Sequence, residues 1–248
     1  MIWNILTLFP DVIELYTMSG VIGKARERGL LDVRAVQIRE FATDKHRTVD
    51  DYTYGGGAGM IMKPDVTFRA IEYVKSRSGN ESMPVILTAA QGRRFTHKIA
   101  EELSRHEELC ILCGHYGGVD ERVRRHMVTD EISIGDYVVT GGELPALVMI
   151  DAVSRLLPDV LGNEDSPKKD SFADGLLGEP VYTRPPDFQG WKVPQTLMGG
   201  NHAEIESWRR EQKLRETFER RPELLERIEL SETDIRFLET IGYTGKEN

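Results

Sequence analysis

Cysteine is scarce in this chain: two in 248 residues, Cys110 and Cys113. A chain of this length buries a core without covalent staples, so a disulfide framework is excluded and a reduced, cytoplasmic protein is expected. Long apolar runs are also missing. None approaches the roughly 20 residues that span a bilayer, so no membrane association is expected. Met1-Ile2-Trp3-Asn4-Ile5 has neither the basic nor the apolar stretch of a secretion signal. Positive charge is in deficit, with 32 Lys and Arg against 41 Asp and Glu, a net charge of −9. That excludes a polybasic nucleic-acid coat protein and leaves room for a nucleic-acid enzyme with a local basic patch. Two phosphate-binding signatures are absent, G-x-x-x-x-G-K-[ST] and G-x-G-x-x-G. The chain is therefore neither a Walker-type nucleotidase nor a protein with the usual dinucleotide turn. His202-Ala203-Glu204 matches the H-x-E of zinc deaminases, but no P-C-x-x-C follows it. No clustered metal-ligand motif occurs.

What is present has ordinary globular proportions, 40% hydrophobic and 29% charged residues. Strands are expected over 2–8, 31–38, 84–88, 108–113 and 131–134. Helices are expected over 12–16 (capped by Asp11), 20–28, 64–76, 96–104, 119–126 and 143–157. Strands alternating with helices predict an α/β fold with a mostly parallel sheet. Cys110-Ile111-Leu112-Cys113 lies inside a predicted strand. Residues three apart there point to opposite faces, so the pair reads as two small apolar residues rather than a zinc or redox motif. After Pro158 the organisation changes. Residues 162–171 contain no apolar side chain and read as a flexible linker. Beyond Tyr182 strand signals fade, and helices are expected over 202–220 and 232–241.

The glycines carry the functional signal. Gln91-Gly92 follows one predicted strand, Gly114 with Gly117-Gly118 the next, and Gly135 with Gly141-Gly142 a third. Loops at the carboxyl ends of successive parallel strands line the crevice where open α/β sheets bind ligands. Glycine there lets main-chain groups approach a planar ligand, although each glycine alone also fits a simple turn. A further cluster, Gly55-Gly56-Gly57-Ala58-Gly59, follows Lys45-His46-Arg47 and Asp50-Asp51. Residues 24–47 hold seven Lys/Arg and four Asp/Glu, a local net of +3 in an acidic chain. A basic face beside a glycine loop suits RNA phosphates and a splayed base; a solvated face is the alternative.

Several segments together resemble the bacterial tRNA (guanine-N1)-methyltransferases, which modify the guanine immediately 3′ of the anticodon. They are Leu6-Thr7-Leu8-Phe9-Pro10, Thr48-Val49-Asp50-Asp51 through Gly55–Met60, Gln91-Gly92-Arg93, Gly118-Val119-Asp120-Glu121-Arg122 and Ser133-Ile134-Gly135-Asp136-Tyr137 through Gly141-Gly142-Glu143-Leu144-Pro145. They continue in Asp170-Ser171-Phe172-Ala173-Asp174-Gly175-Leu176-Leu177, Tyr182-Thr183-Arg184-Pro185 and Gly199-Gly200-Asn201-His202. The segments run in order along nearly the whole chain. The resemblance implies a SPOUT-type sheet with a deep trefoil knot and a small C-terminal helical domain. It also implies S-adenosylmethionine as methyl donor, tRNA as substrate, and a homodimer with shared active sites. The implied division is a knotted catalytic domain over 1–161, a linker over 162–171 and a tRNA-binding domain over 172–248.

Carried over by position, the donor contacts Leu87, Thr88, Gln91, Gly114, Tyr116, Ser133, Ile134, Gly135, Tyr137, Val139, Gly141, Gly142 and Pro145. Asp170 is the expected base at guanine N1, against the alternative of a solvated carboxylate beside Lys168 and Lys169. Arg155 is the expected partner of guanine O6, against that of a structural arginine. Asp50, Gly55, Gly59, Ser166, Arg209 and Arg210 are expected at the tRNA, with Trp208, Lys213 and Arg215 nearby. Mg²⁺ is associated with this reaction, but no residue of the chain is assigned to it. The chain departs from the pattern at Ala89-Ala90, where Ser-Pro is common, and at Gly178-Glu179. It departs again at Gly114-His115-Tyr116-Gly117-Gly118, where a carboxylate usually precedes the last glycine. A related knotted enzyme acting at another RNA site, or a non-catalytic tRNA-binding homologue, are the alternative functions.

Overall fold

A run of apolar residues buried on both faces makes β1 (Ile2–Thr7) an interior strand, with Trp3, Ile5 and Leu6 fully buried. The computed structural model describes residues 1–56, 59–163 and 166–245; Gly57 and Ala58 of the glycine loop and Glu164 and Asp165 of the expected linker lie outside them. Two compact units divide the chain, Met1–Asn163 and Glu164–Asn248.

In the first unit, β1 is followed by α1 (Pro10–Thr17), α2 (Gly20–Glu27) and β2 (Asp32–Gln37). Asp11 does not cap α1. Pro10, whose fixed φ suits the first helical position, starts the helix two residues earlier and puts Asp11 inside the first turn. A hairpin of two three-residue strands, β3 (Asp50–Tyr52) and β4 (Met60–Met62), carries the glycine loop. Next come α3 (Pro64–Ser78), β5 (Val85–Arg94), α4 (His97–Leu103), β6 (Glu108–Cys113), α5 (Glu121–Met127), β7 (Asp130–Ser133) and α6 (Glu143–Ser154).

The five long-range strands form one sheet in the order β2-β1-β6-β5-β7, and every pairing is parallel. The α/β class expected from the sequence is the one observed. β5 runs beyond the predicted Thr88, with a register break between Thr88 and Arg93. Gly92 sits at that break, where a Cβ would lie 2.5 Å from Glu131 O and Ile132 N, so only glycine permits the two backbones to approach.

Helices cover both faces, as a parallel sheet requires. Ile13, Ala25, Ile99 and Ile150 of α1, α2, α4 and α6 pack with Trp3, Ile111 and Cys113. Val66, Ile71 and Val123 of α3 and α5 pack with Leu6, Leu112 and Cys110 on the other face. The two cysteines thus face opposite layers, both buried and both free thiols. Burial pushes the Cys110 thiol up to about 12, and Cys113 shifts the same way for the same reason.

The second unit is mainly helical. A single helical turn, α7 (Ser166–Lys169), lies within the stretch expected to be linker. A two-residue hairpin, β8 (Asp187–Phe188) with β9 (Trp191–Lys192), precedes α8 (Gln195–Met198), α9 (His202–Arg220) and α10 (Glu232–Thr240). Asn201 caps α9, and Ser231 with Asp234 forms a capping box on α10. The small core gathers Leu176, Leu214, Leu225 and Leu238. The Leu177 amide donates to Thr217 Oγ1 at 3.0 Å, fastening the 170–178 segment to α9.

Candidate active site

The carboxyl ends of β5, β6 and β7 open into one cleft of about 410 Å³. All thirteen residues expected at the donor line it. They come from three chain segments that the parallel topology brings side by side.

Glycine makes this cleft possible at identifiable points. Gly142 N donates to Gly114 O at 2.9 Å, stitching the loop after β7 to the loop after β6. A Cβ on Gly142 would lie 2.5 Å from Cys113 Cα and 2.7 Å from Gly114 N. Gly135 has φ +154°, and its Cα faces the Tyr137 ring, where a Cβ would come within 3.1 Å of Cδ1. Tyr116 itself holds φ +59°, a left-handed backbone costing about 1 kcal/mol or more outside glycine. Such strain persists only where the surroundings over-determine it, and here the bonds between the loops do so. Thr88 backs the floor, its Oγ1 donating to Leu112 O at 3.3 Å.

The residues after β6 also hold the glycine hairpin. Gly117 N donates to Met60 O at 2.8 Å, Met62 N to Gly118 O at 2.9 Å and Asp120 N to Met62 O at 3.2 Å. The hairpin is therefore an extension of the cleft wall. Asp50 begins β3, while Gly55 and Gly59 have φ of +83° and +100° with open space where a Cβ would be. Backbone conformation, not crowding, requires glycine there. Tyr54 is fully exposed and Tyr52 nearly so. The basic run of 24–47 does not form one free face, since Arg26 pairs with Glu14 at 3.0 Å and Arg34 with Asp32 at 2.6 Å.

Sequence reasoning missed a buried charge beside the cleft. Glu143, the first residue of α6, is 6% exposed. Its carboxylate accepts from His115 Nε2 at 2.8 and 2.7 Å and from the buried Thr7 hydroxyl. Thr7 Oγ1 in turn accepts from the Phe9 amide at 2.9 Å, and the Phe9 and His115 ring centroids lie 5.3 Å apart. Burial opposes ionisation of Glu143. The hydrogen bonds from His115 and Thr7 outweigh it and hold the carboxyl below its ordinary range. The one local signal was Glu143 directly after a glycine pair at a helix start, which fits an ordinary N-terminal acid equally well.

The remaining candidates belong to other chain segments. Arg155 caps the C-terminus of α6 and lines a different groove, with Val12, Leu15, Tyr16, Leu147 and Asp151. Tyr16 Oη donates to Asp151 Oδ2 at 2.5 Å in that groove, and this bond raises the phenol's pKa. Asp170 follows α7 in the second unit, half-buried, its carbonyl accepting from Ala173 N at 3.3 Å. Ser166 opens α7. Arg209 pairs with Glu206 at 2.7 Å. Arg210 spans to the Asp234 carboxylate at 3.0 and 2.9 Å and also reaches Asp174 at 3.4 Å. Among the described residues no group of three or more His, Cys, Asp or Glu converges as a metal site, and no helix is long and apolar enough to cross a membrane.

Known proteins match this sequence along nearly the whole chain. The family model described as "tRNA (Guanine-1)-methyltransferase TrmD" matches residues 1–227. A Moorella thermoacetica protein named tRNA (guanine-N(1)-)-methyltransferase is 53% identical over 239 residues, 96% of each chain. Proteins of the same name are 52% identical over 235 residues in Geobacillus kaustophilus and 50% over 238 in Dehalococcoides mccartyi, each alignment covering at least 95% of both chains. Agreement of this extent, spanning the cleft loops, the hairpin and the Asp170 segment together, makes the chain a member of the tRNA (guanine-1)-methyltransferase family.

Proposed function

We propose that this chain transfers a methyl group from S-adenosylmethionine to N1 of the tRNA guanine immediately 3′ of the anticodon, position 37. The observation that carries this reading is the convergence of three glycine-bearing loops on one cleft. Its volume of about 410 Å³ lies within the roughly 300–1,000 Å³ of small-molecule sites. The lining suits the donor: main-chain groups freed by glycine for an adenine edge, apolar Leu87, Ile134 and Pro145, and tyrosines 116 and 137 as walls. S-adenosylmethionine supplies an electrophilic methyl on a cationic sulfonium.

The other requirements fall on side chains. Neutral guanine N1 carries a proton, so the reaction needs a base at N1 and a positive group at O6, where negative charge develops. Asp170 takes the N1 proton. Arg155 offers its planar fork to O6. Arg155 lines a groove apart from the donor cleft, which supports a shared site in a homodimer: the cleft from one copy and Asp170 from the other. The groove holding Arg155 is flanked by exposed Leu15, Val21, Leu144 and Val148 on α1, α2 and α6, an apolar surface that a second copy would cover. The deep trefoil knot, formed by the same loops that frame the cleft, is part of this reading.

The hairpin with Asp50, Gly55 and Gly59 meets the RNA on the cleft side. Residues 172–248, with Arg209 and Arg210, form the tRNA-binding domain behind the 162–171 linker, and Ser166 contacts the substrate from within that linker. Mg²⁺ is assigned to no residue. The place of work is the cytoplasm, where tRNA is modified. The test is methylation of tRNA transcripts carrying G or A at position 37, followed by nucleoside analysis. N1-methylguanine in the G transcript and none in the A transcript is expected. A 2′-O-methyl ribose would assign the related RNA reaction, and absence of both product and donor binding would assign a non-catalytic homologue.

A further inference from the structure

The Glu143–His115 pair is not used by the mechanism above, and its chemistry is unusually constrained. Nε2 of His115 lies within hydrogen-bond distance of both carboxylate oxygens, 2.8 and 2.7 Å. The ionised carboxylate has no hydrogen to give, so Nε2 must carry the proton. In the neutral ring that single proton is committed inward, which leaves Nδ1 as an acceptor. Among the described residues Nδ1 has no hydrogen-bond partner, while His115 is one of the residues that line the cleft.

The support behind the ring is equally fixed. Thr7 cannot turn away from Glu143 without releasing the Phe9 amide that it accepts from. Gly141 is moulded to the pair, since a Cβ there would lie 2.6 Å from Glu143 Oε2 and 2.7 Å from His115 Nε2. The main chains of His115 and Gly141 also pair as an isolated antiparallel bridge. Three chain segments are thus shaped around one imidazole orientation. A carboxylate that fixes a histidine's tautomer from behind is how proteins aim the other ring nitrogen at a ligand.

We propose that His115 is a binding residue for the methyl donor, with Glu143 and Thr7 as positioning residues that aim its Nδ1 to accept a hydrogen bond from an N–H or O–H of that ligand. The proposal rests on the reading that the cleft takes S-adenosylmethionine. It assigns the cleft a directional polar contact in addition to its main-chain lining. Replacing Glu143 by glutamine reverses the logic. An amide N–H₂ facing Nε2 selects the opposite tautomer and turns Nδ1 into a donor.

The experiment uses the full chain and S-adenosylmethionine itself. Calorimetry compares wild type with His115→Phe, which keeps a ring beside Phe9, and with Glu143→Gln. One hydrogen bond of this kind corresponds to about a ten-fold change in affinity, so both variants should bind the donor about ten-fold more weakly. At saturating donor and tRNA their kcat should stay within about three-fold of wild type, because Asp170 is untouched. A staple that only held the fold together would lower kcat and thermal stability together. NMR of ¹⁵N-histidine protein reads the tautomer directly, the His115 signals being those lost in His115→Phe. In wild type the Nδ1 resonance should be that of an acceptor and should move when S-adenosylmethionine is added; in Glu143→Gln it should be protonated. Should Glu143→Gln fail to fold, the wild-type titration decides; should His115→Phe fail, His115→Gln supplies the assignment for it. Wild-type affinity in both variants, or an Nδ1 resonance unmoved by the donor, would overturn the proposal. Wild type that methylates tRNA while His115 is silent defeats this inference alone, whereas wild type that binds no donor defeats the reading of the cleft as well.

Discussion

The two units of the chain are stabilised and specialised in different ways. The first buries a sheet between helices and builds its cleft from main chain, so its function depends on where glycine is. The second has a core of four fully buried leucines and leans on charge pairs, with Asp234 joined to Arg210 and to the α10 cap, and Asp174 joined to Lys213 at 3.2 Å. A function written in backbone is damaged by adding atoms. A structure held by ion pairs is damaged by removing charge or changing pH.

The largest effect is expected at the residue proposed to move the proton. Asp170→Ala should lower kcat by about 10²–10⁴-fold and leave donor affinity intact, because it removes a base and not the cleft. Retention of more than about a tenth of wild-type kcat at saturating substrates would refute the assignment. Mixing it with a cleft-blocked variant under subunit exchange tests the shared site. Half the dimers are then mixed and one of their two sites is complete, so roughly a quarter of sites should recover.

Gly142→Ala probes the backbone-built side of the comparison. The added methyl must displace Cys113 Cα and Gly114 N, with no flexible side-chain end to yield on that side. A loss of about 1–3 kcal/mol in stability, together with donor binding, is expected from overpacking of this kind. Calorimetry and thermal unfolding check it. Normal donor affinity would show that the loops have slack.

Asp234→Asn probes the charge-built side. Hydrogen bonding to Arg210, with Ser231 adding to it against the cost of burial, lowers the Asp234 pKa to about 2. A carboxyl with a folded pKa below its unfolded value stabilises at higher pH. Its contribution is fully present above the unfolded pKa near 3.9 and is lost as pH falls from there through about 2. The variant should cost about 1–3 kcal/mol at neutral pH and flatten the acid limb of the unfolding curve. An unchanged acid limb would remove Asp234 from the account of this unit. At the small end, Arg236→Ala breaks a bridge whose partners are 78% and 90% exposed, and should change stability by less than about 0.5 kcal/mol. A larger loss would mean that surface charge supports this unit more than its buried pair suggests.

The same contrast explains what was legible in the sequence. Strands 84–88 and 108–113 and the glycine loops after them could be read because periodicity and turn chemistry are local signals. The hairpin of Asp50–Tyr52 and Met60–Met62 escaped, since three-residue strands give no periodicity and hold their place through bonds to Gly117 and Gly118 far along the chain. The His115–Glu143 pair escaped for a related reason: 28 residues and a complete strand–helix passage separate its members. Asp11 was misplaced because an N-cap rule competed with Pro10, and the fixed φ of proline prevailed. Asp170 and Arg155 were reachable only through resemblance, for nothing in their own neighbourhoods sets them apart from solvated charges.

The two buried thiols have a practical consequence. Both belong to the strand at the centre of the sheet, and the second unit has none. A thiolate-seeking reagent therefore finds no target until β6 leaves its neighbours. Labelling rate then becomes a clock for the opening of the sheet unit alone, blind to fraying of α9 or α10. Run with and without S-adenosylmethionine, that clock would weigh how much the donor tightens the strand at whose end the proposed site lies.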